Sequence, residues 1–358
     1  MAKVKSVSEL NDYELKKQCV GGVFGAYVNN CTVTLSPVSA VEISDEMIND
    51  FECILNRESF GRLSEDEQFK IFDNFSQEMA DYVGVEKADL KLCHMNNLQS
   101  YLSGFEFVQI GKFMGKEERM KFLIANLDNG EYAFSQLNNN LTFYYYSNQY
   151  YSQVKRRYKL NDKELQEVMT DDAIVSSMRH EYQHFFQFAK IKNCLTGQGD
   201  VEERYKIMAL YSIMKLSLMD YKNVNGVKNI DDSNLSYFTD PFEVDARLSE
   251  LSFIKKLICD ERVSKETKDR LKKFATYYIN YNFKFEDKVK FSKLVEQNIK
   301  NTKANFKKLF GEVPIAQEIL NAFEMCNLDR FYVSIDRQKD MCIKAFEQYG
   351  NKEICKEL

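Results

Sequence analysis

From residue 260 to the end of the chain, apolar side chains recur every three or four positions with hardly a break. This pattern constrains the fold more than any other feature, because a 3.6-residue period turns those side chains to one face of a helix. It predicts amphipathic helices over 265–281, 288–309, 315–325 and 330–349. The same spacing predicts helices over 45–55, 200–221 and 241–258 and a short polar one over 7–18. Helix breakers are scarce, with 14 glycines and 3 prolines in 358 residues, too few for a turn-dense all-β protein. The expected class is α+β, mostly helical, with a small sheet.

The sheet is expected from Thr-, Val- and Tyr-rich runs. Segments 21–35, 89–93, 106–110, 132–137 and 141–147 all have strand character, with Asn138–Asn140 as a hairpin-like turn between the last two. A further helix is marked sharply at both ends. Ser64 stands three residues before Glu67, the spacing of a capping box. Phe69, Phe72, Phe75, Met79 and Tyr82 follow at helical intervals, and Gly84 closes the run.

A chain of this length exceeds what one core usually holds, and three zones can be separated. Residues 1–61 form an N-terminal extension, 62–258 a central α+β domain, and 259–358 a helical C-terminal region that caps it or offers a surface to partners. The net charge of −5 is spread without a basic patch, which argues against a nucleic-acid partner. No run approaches the ~20 apolar residues of a membrane span. The apolar stretch 19–28 follows Glu9, Asp12 and Glu14, the wrong flank for a signal peptide, and reads as a buried strand or hairpin. Nine cysteines, dispersed and without a CxxC, read as reduced thiols. The expectation is a cytoplasmic protein.

Chemistry concentrates at residues 179–187, RHEYQHFFQ, which hold two of the three histidines. Thr170, followed by Asp171 and Asp172, is the expected cap of this helix. His180 and His184 lie one turn apart on one face, so both imidazoles can reach one metal ion, and Glu181 beside the first is placed to act as general base. Two histidines and one carboxylate would leave zinc a fourth position for water. Neighbouring apolar residues make this a core helix, where an unpaired histidine would be costly.

A third ligand is required. His94, on an expected loop, is one option. The better one is Glu243 in YFTDPFEVDARLSEL, although Asp240, Pro241 and Glu243 also match an ordinary helix start, with Glu243 closing a capping arrangement. Ala246, on the same face, would let that helix approach another closely. Tyr237, just before it, is the candidate donor to a transition-state oxyanion. Tyr144 and Tyr146, on the expected last strand, would line a cleft.

HExxH followed by Glu243-Val-Asp-Ala246 resembles the gluzincin branch of the zincin metallopeptidases. The order of a helix over 64–83, a Gly-x-Tyr strand at 130–132, a strand at 141–146 and then HExxH is similar to that of compact zincin domains. The resemblance implies a zincin-like metallopeptidase domain over 62–258 with a small mixed sheet. It implies one Zn2+ held by His180, His184 and Glu243, Glu181 as the base, and a protein or peptide substrate. Where related helices carry Asp or Asn after the alanine, this chain has Arg247, so the carboxylate that would orient a zinc-bound histidine is unassigned. Asp240 and Asp245 are options, although Asp245 reads as an exposed acid.

Two readings compete with hydrolysis: a zincin-fold binding or sensing module, and a metal-free helical interaction protein. A di-iron carboxylate bundle is excluded. It needs a second Glu-x-x-His, but Lys91 and Ser177 precede the other histidines by three.

Overall fold

Why the central and C-terminal parts are helical can be followed residue by residue in the computed structural model. It describes residues 42–87, 89–95, 116–117, 140–146, 156, 178–187, 190–191, 202–225, 237–283 and 290–347. Helix α1 (Asp45–Leu55) starts at Ser44, whose side chain accepts from the Met47 amide, and buries Met47, Ile48, Phe51, Ile54 and Leu55 along one face. A single turn, α2 (Arg57–Phe60), leads to α3 (Glu65–Val83). The expected capping box is present at Ser64 and Glu67, and α3 ends at Gly84 in the left-handed region, with φ 78°. Of the predicted stripe, Phe72, Phe75, Met79 and Tyr82 are buried, whereas Phe69 is exposed.

Two seven-residue strands, β1 (Asp89–Met95) and β2 (Asn140–Tyr146), pair in parallel, with His94 opposite Tyr145. His94 therefore belongs to a strand rather than a loop. The expectation of an α+β fold with a small mixed sheet is corrected: the described chain is mainly helical. β1 and β2 make a lone parallel pair, with no antiparallel partner among the described residues. Strand-like composition is a weak guide because a sheet needs distant partners as well as suitable residues. The segments expected as strands at 21–35, 106–110 and 132–137, the turn at 138–140, the helix over 7–18 and the cap at Thr170 lie outside the described residues.

The remaining elements are helices. Residues 178–187 form α4. They are followed by α5 (Glu203–Asn225), α6 (Pro241–Cys259), α7 (Lys265–Phe283), α8 (Phe291–Phe310), α9 (Pro314–Glu324) and α10 (Leu328–Glu347). α1 packs on α3, α5 on α8 and α9, and α6 on α7 and α10. Their buried apolar side chains form one connected cluster, continuous across residues 61 and 258. α1 is also tied to α7, where Arg270 donates to the Leu55 carbonyl, and the turn before α7 holds the segment before α1, where Arg262 donates to the Ile43 carbonyl.

Two contacts with α3 set the position of the central helices. The hydroxyls of Ser76 and Tyr182 meet at 2.6 Å in the core, fixing α4. The rings of Tyr82 and Phe253 meet edge to face, fixing α6. Cys53 and Cys342 are thiols, but Cys259 is disulfide-bonded, which corrects the expectation of uniformly reduced cysteines. No described helix is long and apolar enough to cross a membrane.

Candidate metal centre

Helix α4 is buried on two of its stripes. Met178, Tyr182 and Phe186, four residues apart, enter the apolar core. Arg179, Gln183 and Gln187, also four apart, are buried too, although all are polar. His180 and His184 lie beside this polar stripe and face α6. Unbonded polar side chains would be expensive there; α6 supplies acceptors to Gln183 and Gln187, while Arg179 donates to Gln183 within α4.

Helix α6 begins as its sequence suggests, with Asp240 as cap and Pro241 in the first turn. Asp240 accepts from the Phe242 amide and is paired with Lys215 of α5. The capping role considered for Glu243 is not the one it takes. Its carboxylate turns to α4, where Oε2 lies 3.3 Å from His180 Nε2 and Oε1 lies 3.8 Å from His184 Nε2. The two Nε2 atoms are 3.1 Å apart. His180, His184 and Glu243 thus form a group able to hold a metal ion. Ala246 is fully buried, as expected of a small residue at a close helix approach.

The spacing fits the donor set. With metal–ligand distances near 2.0–2.1 Å, a tetrahedral zinc site has ligand atoms about 3.3 Å apart. The three distances observed bracket that value. Their charges also suit a cation. Burial works against a charge on His180, but the carboxylates of Glu243 and Glu250 overcome it and raise its pKa to about 10. Burial opposes the Glu243 charge as well, yet His180, His184 and Arg247 hold its carboxyl well below the usual range. Without metal, a proton on the His180 imidazole carries the positive charge that this cluster favours.

The residue that accompanies His180 from behind is Glu250, whose Oε2 lies 3.4 Å from His180 Nδ1. It occupies the orienting place for which Asp240 and Asp245 were considered, seven residues after Glu243 and so two turns along the same face of α6. That heptad spacing was visible in the sequence. Asp245 is not an exposed acid but a buried one. It accepts from Gln183 and Gln187 at 2.8 Å each, and from Arg204 at 3.3 Å. His184 Nδ1 lies 2.8 Å from Gln187 Oε1. Neither glutamine was singled out by sequence, although Arg179, Gln183 and Gln187 repeat at the same interval as the histidines.

Arg247, the departure from the resembling helices, is buried. It donates to the Phe238 carbonyl at 2.9 Å, reaches Glu243 at 3.4 Å, and lies over the rings of Tyr237 and Phe238. It therefore braces Glu243 and the turn that carries Tyr237. Tyr237 is 53% exposed, while its hydroxyl is pushed up to about 12 by desolvation and the nearby Glu243. Glu181 is half-buried on α4. The side chains of His94, Tyr144 and Tyr146 lie outside what the structure describes.

Comparison with protein-family models, with curated proteins and with solved structures finds no match to this chain.

Proposed function

We propose that the chain is a zinc-dependent peptidase in which His180, His184 and Glu243 hold the metal and Glu181 is the general base. The observation carrying this reading is the convergence of two imidazole nitrogens and one carboxylate at tetrahedral spacing, with a glutamate next to the first histidine. Two imidazoles and a carboxylate are a donor set that suits zinc. Bound there, zinc would lower the pKa of water to about 7 and polarise a substrate carbonyl. Glu181 takes a proton from the attacking water and returns it to the departing amine. Tyr237, with its pKa raised to about 12, stays protonated at neutral pH and is the residue assigned to donate a hydrogen bond to the substrate oxygen. Peptide as substrate comes from the likeness of HExxH and E-x-x-A to the gluzincin motifs, and zinc from the donors themselves.

Metal analysis of the purified chain should give about one zinc per molecule, lost in His184→Ala. Glu181→Gln should keep zinc while cleavage of a mixed peptide library falls by about 10²-fold or more. Zinc binding with cleavage equal in wild type and Glu181→Gln would instead favour a binding module. Absence of zinc, with His184→Ala unchanged in every property, would refute the metal site.

A further inference from the structure

The amide of Gln187 is held in one orientation. Its Nε2 donates to the Phe242 carbonyl at 3.0 Å and to Asp245 Oδ2 at 2.8 Å. A carbonyl and a carboxylate can only accept, so the nitrogen is fixed on that side and Oε1 must face His184. Oε1 lies 2.8 Å from His184 Nδ1. Between an acceptor oxygen and a ring nitrogen at that distance, the proton belongs to the nitrogen. His184 then carries its proton on Nδ1 and points the Nε2 lone pair at His180 and Glu243.

We propose that Gln187, anchored by Asp245 and the Phe242 carbonyl, is a positioning residue that selects the metal-binding tautomer of His184. This deepens the metal-site reading and rests on it for its consequence, though not for the tautomer itself. Asp245 Oδ2 also accepts from Gln183, which in turn accepts from Arg179 at 2.9 Å. Asp245 Oδ1 accepts from Arg204 of α5. The anchor is thus held on both sides, from α4 and from α5. Asp245 stands on α6 two residues after Glu243, so one helix supplies both the third ligand and the group that sets the second. A carboxylate bonded directly to the imidazole would do the same work with an added charge. The carboxamide does it without one, which leaves the balance of the site to Glu243 and Glu250.

The test uses the full chain. In metal-free protein, long-range proton–nitrogen NMR of the imidazoles should show His184 protonated at Nδ1. Protonation at Nε2 alone would overturn the proposal whether or not zinc binds. Competition of zinc against a chelator then tests the consequence. Gln187→Met, similar in length and lacking the acceptor, should weaken zinc by about 10- to 100-fold. In the same variant the NMR preference of His184 for the Nδ1 proton should be lost, a change that packing alone would not produce. The Met variant binding zinc within about threefold of wild type, or keeping the Nδ1 proton on His184, would show that Gln187 does not set the tautomer and overturn the proposal. Wild type that carries the Nδ1 proton yet binds no zinc would refute the metal reading and leave the tautomer assignment standing. If the Met variant does not fold, the wild-type tautomer still decides.

Discussion

Zinc binding should expel a proton from His180, and the amount can be worked out from the cluster. Desolvation disfavours the charged ring, but Glu243 and Glu250 on either side raise its pKa to about 10, so at pH 7 the metal-free site holds that proton. Zinc needs the lone pair that the proton occupies. At pH 7 the competition spans about three pH units, which lowers apparent zinc affinity by about 10³-fold, or about 4 kcal/mol. Apparent affinity should therefore rise about tenfold per pH unit from pH 7 towards 9. Calorimetry in two buffers of different ionisation enthalpy should count about one proton released per zinc at pH 7. The stability of the metal-free chain carries the opposite sign. A folded pKa above the ordinary 6.5 stabilises fully below pH 6.5, and that contribution fades as pH rises through about 10. Zinc binding without proton release, at an affinity flat from pH 7 to 9, would refute the reasoning.

Two further outcomes concern stability. Asp245→Ala strips the buried donors of Gln183 and Gln187 of their shared acceptor; with the Arg204 part reduced because that side chain is half-exposed, it should cost about 2–4 kcal/mol. A urea midpoint equal to wild type at unchanged slope would contradict this. Gly84→Ala places a Cβ at φ 78° and should cost about 1 kcal/mol, read as a lower melting temperature.

What the sequence disclosed was local in origin. Ser64, Glu67 and Gly84 announce α3 because caps act within one turn. Asp240 and Pro241 announce α6 for the same reason. The pairing of His180 with His184 follows from helical geometry alone. The role of Glu243 needed a motif, since three residues after Asp240 it matched an ordinary cap equally well. The spacing of Glu250 from Glu243 was visible, but its role, like those of Gln187 and Asp245, was not, because a polar side chain on a helix is normally wet. Only the packing of α4 against α6 makes theirs dry. The strand-like runs at 89–93 and 141–147 do form strands; the mixed sheet expected around them was the error, because what a strand pairs with is decided far away in the chain.

Helix α6 buries Phe242, Val244, Ala246, Leu248, Leu251, Phe253, Ile254 and Leu257, residues that cover about two thirds of its circumference, with Ser249, Ser252 and Lys256 on the remaining, partly exposed side. A helix with one open side can roll or slide a little to suit what it binds; one packed over most of its circumference has little room to do so. The ruler that spaces the donors is therefore the volume of the surrounding core. A change of side-chain size at the α6–α10 contact, remote from any histidine, would be read at the cluster as a change of tenths of an ångström, the scale on which cations of different radius are told apart.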